Sequence, residues 1–89
     1  MQSKNKPRPT RAESDHIVQV KALPCSVCDA PGPSECHEIK QGQWFSSMAL
    51  CVACHRGPML GLHGGKGMWR IKKMDEIDGL AKTIERLMT

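Results

Sequence analysis

Tyrosine is absent from this chain of 89 residues, and Trp44, Phe45 and Trp69 are its only aromatic side chains. Apolar residues make up 39%, and with so few large rings among them a domain of this size buries too little surface to be comfortably stable. A covalent or metal staple is therefore expected. No apolar run exceeds a handful of residues, which argues against a membrane-spanning helix. The opening stretch, MQSKNKPRPTR, is polar and contains no apolar segment of the secretory kind. The expectation is one cytoplasmic domain with no membrane partner.

Cysteine, by contrast, is plentiful for the length, with five residues. A reducing compartment favours thiolates on a metal over disulfides. Cys25 and Cys28 form one CxxC pair, Cys51 and Cys54 another, and 22 residues lie between the pairs. Two residues between cysteines let one tight turn offer both sulfurs to one ion, and two such turns complete a tetrahedral four-sulfur zinc site. Pro24 before the first pair suits such a knuckle. That zinc is structural and says little about activity. Cys36 is left over; it reads as a buried strand residue, with a ligand or redox-sensitive role as the alternative.

The formal charge is +4, with a pI near 9.0, a modest bias towards polyanions. Its distribution is uneven. Lys4, Lys6, Arg8 and Arg11 precede the first acid, Glu13, and Lys66, Arg70, Lys72 and Lys73 form a second cluster. Solvated surface is the plain reading of both. Beside a metal site they read as phosphate contacts, with Lys4, Lys6, Arg8, Arg11, Lys66 and Arg70 as the nucleic-acid-binding candidates.

Along the chain, residues 1–10 lack periodicity and read as a flexible basic arm, and 11–89 as the domain. TRAE makes Thr10 an N-cap with Glu13 reaching back. The helix that follows, over 12–23, turns Ile17, Val20 and Leu23 inward, stops at Pro24 and leaves His16 on the surface. APGPS is a turn. ECHEIK reads as a strand, and QWFSSMALC as a second strand or irregular lead into the second cysteine pair. GPMLGLHGGKG is a loop whose glycines at 61, 64, 65 and 67 would admit a bulky polyanion. MWRIKKM can form a short helix. Asp75 to Met88 carries Ile77, Leu80, Ala81, Ile84, Leu87 and Met88 at helical spacing, although Gly79 costs such a helix about 1 kcal/mol. No internal repeat is found.

His37, His55 and His63 fall on the first strand, directly after Cys54 and in the glycine-rich loop. No two sit four apart, so a helical metal pair is not available. Zinc closure would nevertheless bring strand, knuckle and loop together, and three imidazoles so gathered can hold a divalent ion with positions left for water and phosphate. Solvent-facing histidines on a small zinc module are the competing reading.

The series CSVC, ECHEIK, LCVACHRG and GLHG resembles the HNH nucleases, and HRGP with GLHG resembles more narrowly the phage recombination-enhancement (Ref-like) nucleases, over residues 22–88. The resemblance implies a small α+β, zinc-stapled treble-clef or ββα-metal fold with flanking helices. It also implies a metal-dependent DNA endonuclease, phage or prophage encoded and acting in the bacterial cytoplasm, with a recombinase as a partner. The implied cofactors are a structural Zn2+ and a second divalent ion, Mg2+ or a transition metal. On this mapping His37, His55 and His63 hold the second ion, and Glu38 falls where the family has its general-base histidine. An imidazole suits proton abstraction near neutrality better than a carboxylate of ordinary pKa. The asparagine of the family name is missing too, with Ser46 and Ser47 in that region. Three outcomes stay open: Glu38 is the base, His37 is the base, or the domain is a non-catalytic zinc module that binds nucleic acid or protein.

Overall fold

A computed structural model describes residues 8–89. The elements run α1 (Arg11–Lys21), β1 (Glu35–Glu38), β2 (Ser47–Leu50), α2 (Val52–Arg56), α3 (Gly67–Lys72) and α4 (Glu76–Leu87). This is a small α+β domain, a two-stranded hairpin with helices packed on it and a four-cysteine cluster inside. Most of the expected basic arm, Lys4 and Lys6 included, lies outside the described residues.

Helix α1 begins where the sequence says it must. Thr10 Oγ1 accepts the Glu13 N–H at 3.1 Å, and the Glu13 carboxylate accepts the Thr10 N–H at 2.8 Å, which satisfies two otherwise orphaned donors. Val20 is its buried residue, with Ile17 and Leu23 half-buried. His16 is not the surface residue expected. Its ring lies against Phe45, with centroids 5.1 Å apart, and its Nε2 is buried without a hydrogen-bond partner among the described residues.

The hairpin is antiparallel, pairing Glu35 with Leu50, Cys36 with Ala49, His37 with Met48 and Glu38 with Ser47. The first strand is shorter than the sequence suggested, because the chain turns after Glu38. There the Gly42 N–H donates to the Glu38 carboxylate at 2.7 Å, and Gly42 adopts a left-handed φ of 90°. All four residues of β2 are buried, whereas β1 is more open. Cys36 is half-buried rather than buried, because it borders two surface grooves.

Helix α4 packs on β2 through a face the apolar spacing did not identify. Its buried residues are Gly79 and Thr83, while Ile77 and Met88 are 65% and 81% exposed. A Cβ on Gly79 would stand 2.6 Å from the sulfur of the fully buried Met48, so this glycine is what lets helix and strand approach. Thr83 Oγ1 accepts the Ala49 N–H at 3.2 Å and lies 2.7 Å from Ser26 Oγ. Arg86 donates to the carbonyls of Pro24 and Cys25 and pairs with Asp29, tying the same helix to the first knuckle. Asp29 is thereby held below the usual carboxylate range.

Candidate metal centres

The core and the first centre are the same object. Cys25 and Cys54 belong to the buried cluster with Val27, Met48, Leu50 and Trp69, and Cys28 and Cys51 pack against it. The four sulfurs lie within 4.8 Å of one another, and Cys28 and Cys51 are 3.7 Å apart. Tetrahedral zinc with bonds of about 2.3 Å needs sulfurs about 3.7–3.8 Å apart, so the cluster fits a structural Zn2+. The knuckles also build local structure. Cys51 is the N-cap of α2, its Sγ accepting the Cys54 N–H at 3.4 Å, and Cys25 Sγ accepts the Val27 N–H at 3.5 Å. Burial pushes the Cys54 thiol up, with the charge of Cys25 adding to it, and burial raises Cys28 as well. At Cys25 burial is outweighed by backbone N–H groups of the knuckles, and the thiol is lowered.

The second group is His37, His55 and His63, each offering a ring nitrogen within 4.8 Å of the others. The ring centroids form a near-equilateral triangle with sides of 4.9, 5.0 and 5.2 Å. Their convergence follows from local bonding. His37 stands on β1 opposite Met48. His55 is the residue after a zinc cysteine, on α2. The loop then folds back on that helix: the Leu62 N–H donates to the Cys54 carbonyl at 2.8 Å and the His63 N–H to the His55 carbonyl at 3.1 Å. Trp69 Nε1 reaches the same Cys54 carbonyl at 2.8 Å from α3. The loop glycines serve this folding. A Cβ on Gly61 would lie 2.5 Å from the Gly57 nitrogen, and one on Gly64 would lie 2.4 Å from the Gly57 carbonyl oxygen.

Two carboxylates that sequence reasoning missed aim the rings of His55 and His37. Glu35 bonds His55 Nδ1 at 2.7 Å, and Glu76, from the first turn of α4, bonds His37 Nε2 at 2.8 Å. Each carboxylate accepts the proton of the nitrogen that it bonds, which leaves the other nitrogen of that ring as the lone-pair donor. The Glu35 carboxylate is also gripped by Arg56, Nε at 3.0 Å and Nη2 at 2.5 Å. Arg56 first and His55 second hold it below its ordinary pKa. At His55, burial outweighs the pull of Glu35 and lowers the ring's pKa, with His37 and His63 adding repulsion. A neutral imidazole with one nitrogen anchored, the form that the lowered pKa favours at His55, is the form that binds a metal ion.

The rings border an open groove of about 310 Å³ lined also by Cys36, Glu38 and Gln41. Glu38 is thus beside the histidines, its carboxylate held by Gly42 as described. A second groove, of about 490 Å³, shares Cys36 and His55 with the first and adds Lys21, Ser34, Glu35 and Arg56. Arg8, Arg11, Lys66 and Arg70 are exposed, but none of them lines either groove. Among the described residues no helix is long and apolar enough to cross a membrane.

The fold is a small α+β domain whose four-cysteine cluster fits a structural Zn2+ and whose histidine triad could hold a second ion. No protein-family model, curated protein or solved structure matches the chain.

Proposed function

We propose that the domain is a metal-dependent endonuclease of the HNH type, hydrolysing phosphodiester bonds in DNA. The observation that carries this reading is the convergence of His37, His55 and His63, from a strand, a knuckle helix and a returning loop, in a solvent-open groove beside a four-cysteine staple. Strand, strand and short helix follow one another as β1, β2 and α2, the order that the HNH resemblance implies.

His37, His55 and His63 would hold a divalent ion, which would supply Lewis-acid stabilisation of the charge that develops on a phosphate and its leaving oxygen. Mg2+ or a transition metal would serve, and nitrogen ligands favour the latter. The chain's own part is orientation and proton transfer. Glu76 and Glu35 keep His37 and His55 in single tautomers, and Glu38, on the groove wall, takes the proton of the attacking water. HRGP and GLHG support a phage or prophage recombination setting, with a recombinase as partner. A non-catalytic zinc module remains the second reading, because the family's base position holds a glutamate already bonded to a backbone N–H.

Plasmid nicking, scanned over Mg2+, Mn2+, Ni2+ and Zn2+, decides between them. Wild type should cut, His55→Ala should not, and Glu38→Ala should lose about 10²–10⁴-fold in rate. Full activity in His55→Ala would remove the histidine centre from the mechanism. Absence of cutting with every metal would leave the zinc module.

A further inference from the structure

The groove adjoining the histidine centre is lined by two cationic side chains, Lys21 and Arg56. Its floor is shared with that centre through Cys36 and His55. Its rim is the end of α1, and this rim is fixed: the Ser34 N–H donates to the Lys21 carbonyl at 2.8 Å, and Ser34 Oγ donates to the Leu23 carbonyl at 2.6 Å. Lys21 is therefore held at the groove edge by its backbone, and its ammonium makes no ion pair among the described residues. Arg56, which also lines this groove, spends two of a guanidinium's five N–H donors on Glu35. Its side chain is 61% exposed, with the other three donors available. The lining thus carries two cations and one carboxylate, and that carboxylate is already paired with Arg56.

We propose that this groove is a phosphate subsite, in which Lys21 and Arg56 bind a phosphate of the same strand whose scissile phosphate lies at the histidines. The proposal rests on the nuclease reading and names its substrate class: a polynucleotide spanning both grooves, not an isolated phosphodiester. A nucleic-acid strand carries a charge every 3.4 Å or so of helix axis, so a phosphate at the histidine centre necessarily brings neighbours. The adjoining groove shares lining with that centre and carries unspent cationic donors. Lys21 and Arg56 line this groove, whereas the exposed Lys66 and Arg70 line neither.

The test is binding rather than cleavage. Zinc-loaded protein without added second metal is titrated against a fluorescent DNA duplex of about 20 base pairs over a range of salt. Lys21→Ala should weaken binding several-fold and reduce the slope of log K against log salt by about 0.9, the value for one lost phosphate contact. Lys21→Arg should restore both. Lys82→Ala, which removes the same charge from the α4 surface, should change neither. Equal losses in Lys21→Ala and Lys82→Ala, or an unchanged slope in Lys21→Ala, would overturn the subsite while leaving nuclease activity to stand on its own nicking assay. A wild type that neither binds nor cuts overturns subsite and nuclease together. Arg56 is not substituted, because losing it would also release Glu35 from His55.

Discussion

Single side chains in this domain do work that their residue type does not advertise. Thr83 sits on a helix among apolar neighbours, yet it is the buried residue that satisfies the Ala49 N–H and meets Ser26 Oγ. Replacing it by valine keeps the shape and removes the acceptor. Thr83→Val should cost about 1–3 kcal/mol, the penalty for a buried donor left unmatched, read as a lower midpoint in urea unfolding with the slope unchanged. An unaltered midpoint would show that water satisfies Ala49 instead. Gly79 makes the same point from the other side. As a helix residue it looks like a weakness, and only its position over Met48 reveals it as the condition for packing. Neither role was legible in the sequence, because both depend on what lies across the gap. The four zinc cysteines were legible, since their spacing alone satisfies the geometry of one ion.

At the scale of elements, the sequence yielded α1 with its capping box, the first strand, the short α3 and the closing helix. It misjudged which face of α4 turns inward and how far β1 runs. The histidine centre was half readable. Its three ligand candidates stand out as residues, but their convergence depends on a loop that bonds back onto α2, and the aiming carboxylates come from a strand start and a distant helix. Helix α4 thus has a task beyond packing, since its first turn carries Glu76 to His37. Glu76→Ala should weaken binding of Ni2+ or Co2+ at the histidine centre by about 10–100-fold, the usual effect of removing a carboxylate behind a ligating imidazole. Glu76→Gln, which can still accept from the ring, should recover part of it. Metal titration followed by absorbance reads this directly, and equal affinity in all three proteins would show that His37 is held by packing alone.

For the whole molecule, the four cysteines stand in for the hydrophobic mass that an 89-residue chain with three aromatics does not have. Chelation of zinc should therefore unfold the domain. The pH dependence has a definite sign. Cys54 and Cys28 are raised above the ordinary thiol value of 9.0, so both carry protons at neutral pH that zinc must displace. Affinity for zinc should accordingly fall as pH falls, with roughly two or more protons released per ion near pH 7. Calorimetric titration in two buffers of different ionisation enthalpy measures that number, and proton-neutral binding would contradict the raised thiols. Cys54 and His55 are neighbours in the chain, one facing each centre. An imidazole trio cannot gather on a chain whose knuckles are open, so the two ions have a compulsory order of arrival, sulfur site first. Whatever chemistry the histidines perform is therefore licensed by zinc supply, and a zinc-starved chain would be silent however much of the second metal surrounded it.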